Sequence, residues 1–194
     1  DQVKDGVVDV IWTLPGYTAG RFPRVEVFEL PFMMNEPVGT SKALWEYVQQ
    51  YAPNEFADVK LIATHVHGPG VFHTTNKQIK SLADLKGMKV RAPTRQTNRF
   101  LAALGATPVA MPVPQVGEAL AKGVIDGAVI PWEVVPSVKV QELTKFHTET
   151  DPSAPAFYTS AFIFAMNKAK YASLPPDLKK VIDANSGVEL SGQI

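Results

Sequence analysis

Cysteine is absent from this 194-residue chain. That excludes disulfide staples and every thiol chemistry, catalytic or metal-binding. Net charge is also missing: 19 basic side chains balance 19 acidic ones, so there is no electrostatic footprint for nucleic acid and no basic run for a membrane surface. Apolar runs are short, and none is long enough to cross a bilayer as a helix. Enzyme constellations are missing as well. Ser41, Ser81 and Ser160 have no adjacent base and no G-x-S-x-G turn, and the glycines form no phosphate cradle. Asp9 and Asp126 could pose as catalytic carboxylates, but each follows a glycine stop and fits the start of a strand.

What remains is ordinary material for a core, 45% apolar, and an excess of proline, 16 residues where about 5% of the chain would be usual. The prolines punctuate many connections instead of forming one tract, which argues against a disordered tail. A strand is expected over Val7–Trp12, with the β-branched run of a strand buried on both faces. A turn-rich loop follows over Leu14–Pro23, then a short helix and loop over Val25–Met34. Ser41 can cap a helix reaching Tyr51, with Ala43, Leu44, Tyr47, Val48 and Tyr51 as its inward stripe. Strands are expected at Val59–His65 and Val71–Thr75, separated by Gly68-Pro69-Gly70, a candidate hinge.

From Ser81 onward, strand and helix alternate. A one-turn helix in SLADLKG precedes strand Met88–Arg91, helix Thr94–Leu104, strand Thr107–Met111, helix Gln115–Ala121 and strand Ile125–Ile130. Helix Val138–Leu143, strand Lys145–Thr148, strand Thr159–Met166 and helix Pro175–Asn185 complete the chain. The alternation predicts an α/β fold of parallel βαβ units in a doubly wound sheet. There is also an internal echo. Lys4-Asp5-Gly6-Val7-Val8-Asp9 is matched by Ala121-Lys122-Gly123-Val124-Ile125-Asp126, and each strand runs on to a tryptophan, Trp12 or Trp132. Either helix-to-strand joints simply look like this, or two similar lobes each offer a strand end and an indole to a cleft.

Arg91 is the leading candidate for chemistry. Apolar Met88 and Val90 bury its strand, and Ala92-Pro93 forces an extended exit that leaves the guanidinium at the strand's carboxyl end, where open α/β sheets bind ligands. Its planar fork suits a carboxylate, and Thr94 and Thr97 at the next helix start can add hydroxyls. The ordinary alternative is a surface arginine paired with an acid. His65 and His67 share a strand face with His73 nearby, but no neighbouring carboxylate completes a metal set, so lining or packing is the expectation and no metal is assigned. Trp12, Tyr17, Phe72 and Trp132 lie at strand ends or turns, where aromatics wall a small-molecule pocket or pack a core. Thr13, Pro131 and His73 flank them and join the candidate binding set.

The run SLADLKGMKVRAPTRQTNRFLAALGATPVAMPVPQVGEALAKGVIDGAVIPWE resembles the central signature of the periplasmic substrate-binding proteins of TRAP transporters, the DctP family. GVVDVIWTLPGYTAGRFPRVEVFELPFM and FIFAMNKAKYASLPPDLKKVID also resemble family segments, so the likeness covers nearly the whole chain. It implies a two-lobed periplasmic-binding-protein-like fold of type II, shorter than the family at both ends. Lobe one would hold residues 1–68 and 157–194, and lobe two 69–156. In the family the arginine of K-[GM]-x-K-x-R-x-P bridges the ligand carboxylate, which maps to Arg91. The following loop maps to Thr94, and the segment after D-G to Ile130, Pro131 and Trp132.

The likeness implies capture of an organic carboxylate in the cleft between lobes, in the periplasm, and delivery to TRAP membrane permease subunits. Contact with the membrane transporter would be peripheral, and no nucleic acid, cofactor or catalysis is implied. Two features depart from members that bind sialic or sugar acids: Ile130 stands where those have asparagine, and no arginine occurs at Val71–His73. The expected ligand is therefore a monocarboxylate, aromatic or branched, of the 2-oxo or 2-hydroxy type. A sensor domain, or a small hydrolase or isomerase of similar fold, is the alternative.

Overall fold

In a computed structural model describing residues 1–194, the elements run β1 (Val10–Thr13), α1 (Pro37–Tyr51), β2 (Val59–Val66), β3 (Gly70–Thr74), α2 (Leu82–Leu85) and β4 (Lys89–Ala92). There follow α3 (Arg95–Ala103), β5 (Thr107–Ala110), α4 (Val116–Ala121), β6 (Gly127–Pro131), α5 (Val140–Leu143) and β7 (Phe146–Thr148). The chain ends with β8 (Ala161–Asn167), α6 (Lys168–Ser173), α7 (Pro176–Ala184) and α8 (Val188–Gln193). Two compact units result. The first comprises Asp1–Phe28, Glu36–Val66 and Ala161–Ile194; the second comprises Glu29–Asn35 and His67–Ser160. Segment Glu29–Asn35, expected in the first lobe, is tied to the second unit by main-chain bonds between Phe32 and Ala156 (3.1 Å) and between Ala156 and Met34 (2.9 Å).

The first unit is built on an antiparallel sheet of order β1-β8-β2. Central β8 is apolar and almost wholly buried, as a strand paired on both sides must be. The edge of β2 is closed by helices instead of another strand. Buried Ser41 of α1 accepts from the Val66 N–H (3.0 Å), Ser191 of α8 accepts from the Thr64 N–H (3.1 Å), and the Gly187 N–H reaches the Ile62 carbonyl (2.9 Å). These bonds satisfy an edge that would otherwise invite pairing. Ser41 therefore does not start α1. Pro37 occupies the first turn and the Glu36 carboxylate caps it, accepting from the Val38 and Gly39 N–H groups. The helix buries Ser41, Leu44 and Val48, whereas Ala43 and Tyr51 of the expected stripe are exposed. The strand expected to be buried on both faces is also corrected: β1 lies at the edge, pairs only with β8, and leaves Val10 and Trp12 exposed.

The second unit has a five-stranded sheet of order β5-β4-β6-β3-β7. Strands β5, β4 and β6 are parallel, joined through α3 and α4. Strands β3 and β7 are antiparallel to their neighbours, so the sheet is mixed and not the parallel, doubly wound one expected. Alternation then sorts the side chains. Phe72, Val90, Ala92 and Val129 face one core with Leu85, Phe100, Leu101 and Tyr158. Ala128 and Ile130 face the other, with Val116, Ala119, Leu120, Val135 and Val140. Each fully buried aliphatic contributes roughly 1.5–3 kcal/mol of transfer free energy. Gly70 is required by contact, since a Cβ there would lie 2.0 Å from the Tyr158 ring.

Candidate functional site

Arg91 takes the opposite face of β4 from Val90 and Ala92, so its side chain leaves the Phe100 core and enters the other layer. It is 1% exposed. Nε donates to the Met111 carbonyl (2.9 Å) and Nη1 to the Val129 carbonyl (3.1 Å), from the chain just beyond β5 and from β6. Those acceptors are neutral carbonyls, and they fix the plane of the fork. Thr94 is buried as well, but its hydroxyl caps α3, accepting from the Thr97 N–H (3.4 Å) and lying 3.2 Å from the Thr97 hydroxyl.

Cross-strand register places Arg91 in a row, Val109–Arg91–Ala128–His73–His147, running across the sheet. Ala128, small and fully buried, separates the cation from the imidazoles. His73 is fully buried; its Nε2 meets the Ile130 carbonyl (2.9 Å) and its Nδ1 meets Nδ1 of His147 (2.8 Å). A carbonyl only accepts, so Nε2 carries the proton and Nδ1 accepts from His147. Burial holds the His73 pKa down at about 4; the Ile130 carbonyl opposes that shift, the charge of His147 adds to it, and Glu149 opposes it. Trp132, just past Pro131, stands edge-on to His73 (4.9 Å between centroids, 84°), lies 4.9 Å from His147, and donates its indole N–H to Glu149. It remains 43% exposed.

Phe72 requires a correction. It points to the other side of β3 from His73, into the core with Val90 and Phe100, with Phe157 edge-on at 5.3 Å. Arg91, His73, Pro131 and Trp132 thus belong to one region of the second unit, whereas Phe72 does not share Arg91's face. In the first unit, Trp12, Thr13 and Tyr17 line a cleft of about 360 Å³ with Phe22, Phe56 and Arg21. Its cations are matched there by acids, Arg21 by Asp1 and Lys4 by Asp58 (2.7 Å), so the cleft offers no unmatched charge to an anion.

His65, Trp12 and Phe162 form a separate ring cluster in the first unit. His67 meets the Gly68 carbonyl (2.5 Å). No three histidines, aspartates or glutamates converge where a metal could be held. His147, Glu149 and Phe162 were missed in the sequence. Each acquires meaning only from a partner strand, and the available signal was alternation in Phe146-His147-Thr148, which puts His147 on one face by itself.

The family model for DctP, bacterial extracellular solute-binding protein, family 7, matches residues 1–188. Several solved structures are similar to the chain throughout. A TRAP solute-binding protein from Rhodoferax ferrireducens T118, in complex with copurified benzoate, is 64% identical with a TM-score of 0.98, over 100% of this chain and 60% of that one. A marine metagenome TRAP solute-binding protein specific for aromatic acid ligands, with 3-hydroxybenzoate, is 56% identical with a TM-score of 0.96, over 100% of this chain and 61% of that one. A Bordetella bronchiseptica TRAP periplasmic solute-binding protein with bound (R)- and (S)-mandelate is 31% identical with a TM-score of 0.91, over 99% and 61%. The chain spans about half the length of the curated relatives it matches, 55% and 54% for two of them.

Proposed function

Because this chain belongs to the DctP family of bacterial extracellular solute-binding proteins, we propose that it serves in a periplasmic receptor for an aromatic monocarboxylate. Arg91 holds the carboxylate, and the receptor delivers it to a TRAP-type membrane permease. The observation that carries this reading is the buried guanidinium whose plane is fixed by the Met111 and Val129 carbonyls. Three similar proteins hold benzoate, 3-hydroxybenzoate and mandelate, each an aromatic acid with one carboxylate; mandelate is a 2-hydroxy acid of the expected type, and the two benzoates are not. Trp132, packed against His73 and His147 with its N–H on Glu149, supplies a partly exposed indole in the same unit. The role is binding, with no bond made or broken.

The test is calorimetric titration with benzoate, 3-hydroxybenzoate, mandelate, succinate and a uronate, on the parent and on Arg91→Met. Saturable binding of the aromatic acids, lost in the variant while its melting temperature stays within a few degrees, supports the reading. Tighter binding of succinate or the uronate, or parent-like affinity in the variant, contradicts it.

A further inference from the structure

Two consecutive carbonyls near the end of β6 are held by side chains from the strands on either side. Nη1 of Arg91, on β4, donates to the Val129 carbonyl (3.1 Å), and Nε2 of His73, on β3, donates to the Ile130 carbonyl (2.9 Å). Register between β6 and β4 runs only to Arg91–Ala128, whereas register between β6 and β3 continues to Gly70–Pro131. Past Ala128 the guanidinium itself therefore supplies a partner on the β4 side. Val129, Ile130 and His73 are fully buried and Arg91 nearly so, which shields these bonds from water. A neutral imidazole carries one proton, and the opposite tautomer would turn a bare Nε2 lone pair onto the Ile130 carbonyl. His147 decides between the two. Its Nδ1 lies 2.8 Å from Nδ1 of His73, so by donating there it leaves the His73 proton on Nε2. Trp132 packs against both imidazoles, 4.9 Å from each, with its own N–H on Glu149, so the donor to His73 Nδ1 is His147.

We propose that His73 is a positioning residue for carboxylate binding, fixing the β6 segment against which the Arg91 fork is aligned, and that His147 selects the tautomer in which it does so; the proposal rests on the reading of Arg91 above. Neither histidine is assigned a contact with the ligand. The plane of the Arg91 fork is set by the Met111 and Val129 carbonyls, and a two-pronged guanidinium–carboxylate pair depends on that plane. Val129 and Ile130 are neighbours in the chain, so a change at the Ile130 carbonyl reaches one of the two anchors. Deprived of its donor, the Ile130 carbonyl has to turn toward another, because a buried carbonyl left bare is costly. Pro131 restricts the backbone on the far side, so the rotation is passed back toward Val129. A packing role for the two imidazoles needs ring shape alone. The positioning role needs the proton on one particular nitrogen, and that difference separates the two.

The experiment is calorimetry with benzoate at neutral pH on the whole 194-residue chain, paired with heteronuclear NMR of the imidazole nitrogens to read the His73 tautomer. The parent should show His73 protonated at Nε2 alone. His147→Phe keeps a ring against Trp132 but removes the donor; it should weaken benzoate binding by roughly threefold to tenfold and leave His73 a mixture of tautomers. His147→Asn, whose amide nitrogen can stand where Nδ1 was, should restore the single tautomer and bring affinity within about twofold of the parent. His73→Gln, whose amide can still donate to the Ile130 carbonyl, should bind benzoate more tightly than His73→Leu, which cannot. Parent-like affinity in His147→Phe, or equal losses in His147→Phe and His147→Asn, overturns the proposal. Because His147 is exposed, that pair decides the matter even where His73→Leu fails to fold. Failure of the parent to bind benzoate, or parent-like binding in Arg91→Met, overturns the reading of Arg91 instead, and the positioning role with it.

Discussion

Lys4–Asp9 and Ala121–Asp126 make the same joint in different surroundings. In both, a glycine takes a left-handed conformation, Gly6 at φ +74° and Gly123 at φ +67°. In both, the next N–H closes the turn onto a carbonyl five residues back, Val7 to Gln2 and Val124 to Ala119, each at 2.9 Å. The strands that follow then diverge. β1 sits at a sheet edge, whereas β6 lies between β4 and β3. Ile125 is 1% exposed and all of β6 is buried, while β1 alternates between exposed and half-buried positions. The tryptophans at the strand ends differ in the same sense. Trp12 lies in one plane with the His65 ring and gives its N–H to that imidazole; Trp132 stands edge-on to His73 and gives its N–H to a carboxylate. Local sequence dictates the turn, and the neighbouring strands dictate what the tryptophan becomes.

The largest difference between the regions should be in ligand affinity. Arg91→Ala should weaken carboxylate binding by about 2–5 kcal/mol, some 30- to several-thousand-fold, measured by calorimetry. Affinity within about threefold of the parent would mean that the guanidinium holds no carboxylate. In denaturant unfolding, Ile130→Ala on β6 should cost about 2–5 kcal/mol and Val10→Ala on β1 within ~0.5 kcal/mol of nothing. A comparable cost at both would show that the edge strand is covered in solution.

Next comes pH. His73 has its pKa depressed from 6.5 to about 4, so between those values the unfolded chain binds the proton more readily. Stability is then full above 6.5 and falls toward pH 4, by on the order of 2–3 kcal/mol from this group. His73→Gln should flatten the profile in that window, as followed by thermal melts. Asp84, held down at about 2 by the Lys80 N–H and then by Ser81 and Lys77, loses its contribution only as pH falls from 3.8, so the two are separable. The smallest effect tests the shared joint. Gly6→Ala and Gly123→Ala should each cost about 1–2 kcal/mol and agree closely, because both demand the left-handed backbone. A clear inequality would mean that the strand, not the turn, sets the strain.

Much of the second unit was legible in the sequence because its elements are local: a capping box at Ser81–Asp84, a glycine stop after α3, and β-branched runs of ordinary length. That the strand of Arg91 is buried could be read from Met88 and Val90, but the sequence placed the guanidinium at a mouth, and its near-complete burial against the Met111 and Val129 carbonyls depends on neighbouring strands. Strand order was not legible. Nothing near Val71 or Phe146 says that these strands run antiparallel to β6, and that pairing decides which side of the sheet Phe72 and His73 face. The start of α1 was misread because Ser41 looks like a cap, while the Glu36-Pro37 pair that does the capping reads as a loop. Likewise the ring cluster of Trp12, His65 and Phe162 draws on three strands distant in sequence, and only their register reveals it.

Calorimetry with benzoate and benzamide, equal in shape and differing in charge, tests the central claim most directly. The account predicts saturable binding of benzoate and none of benzamide at the same concentrations, with the benzoate signal lost in Arg91→Met. Benzamide binding as tightly as benzoate would contradict it, because recognition would then owe nothing to the guanidinium.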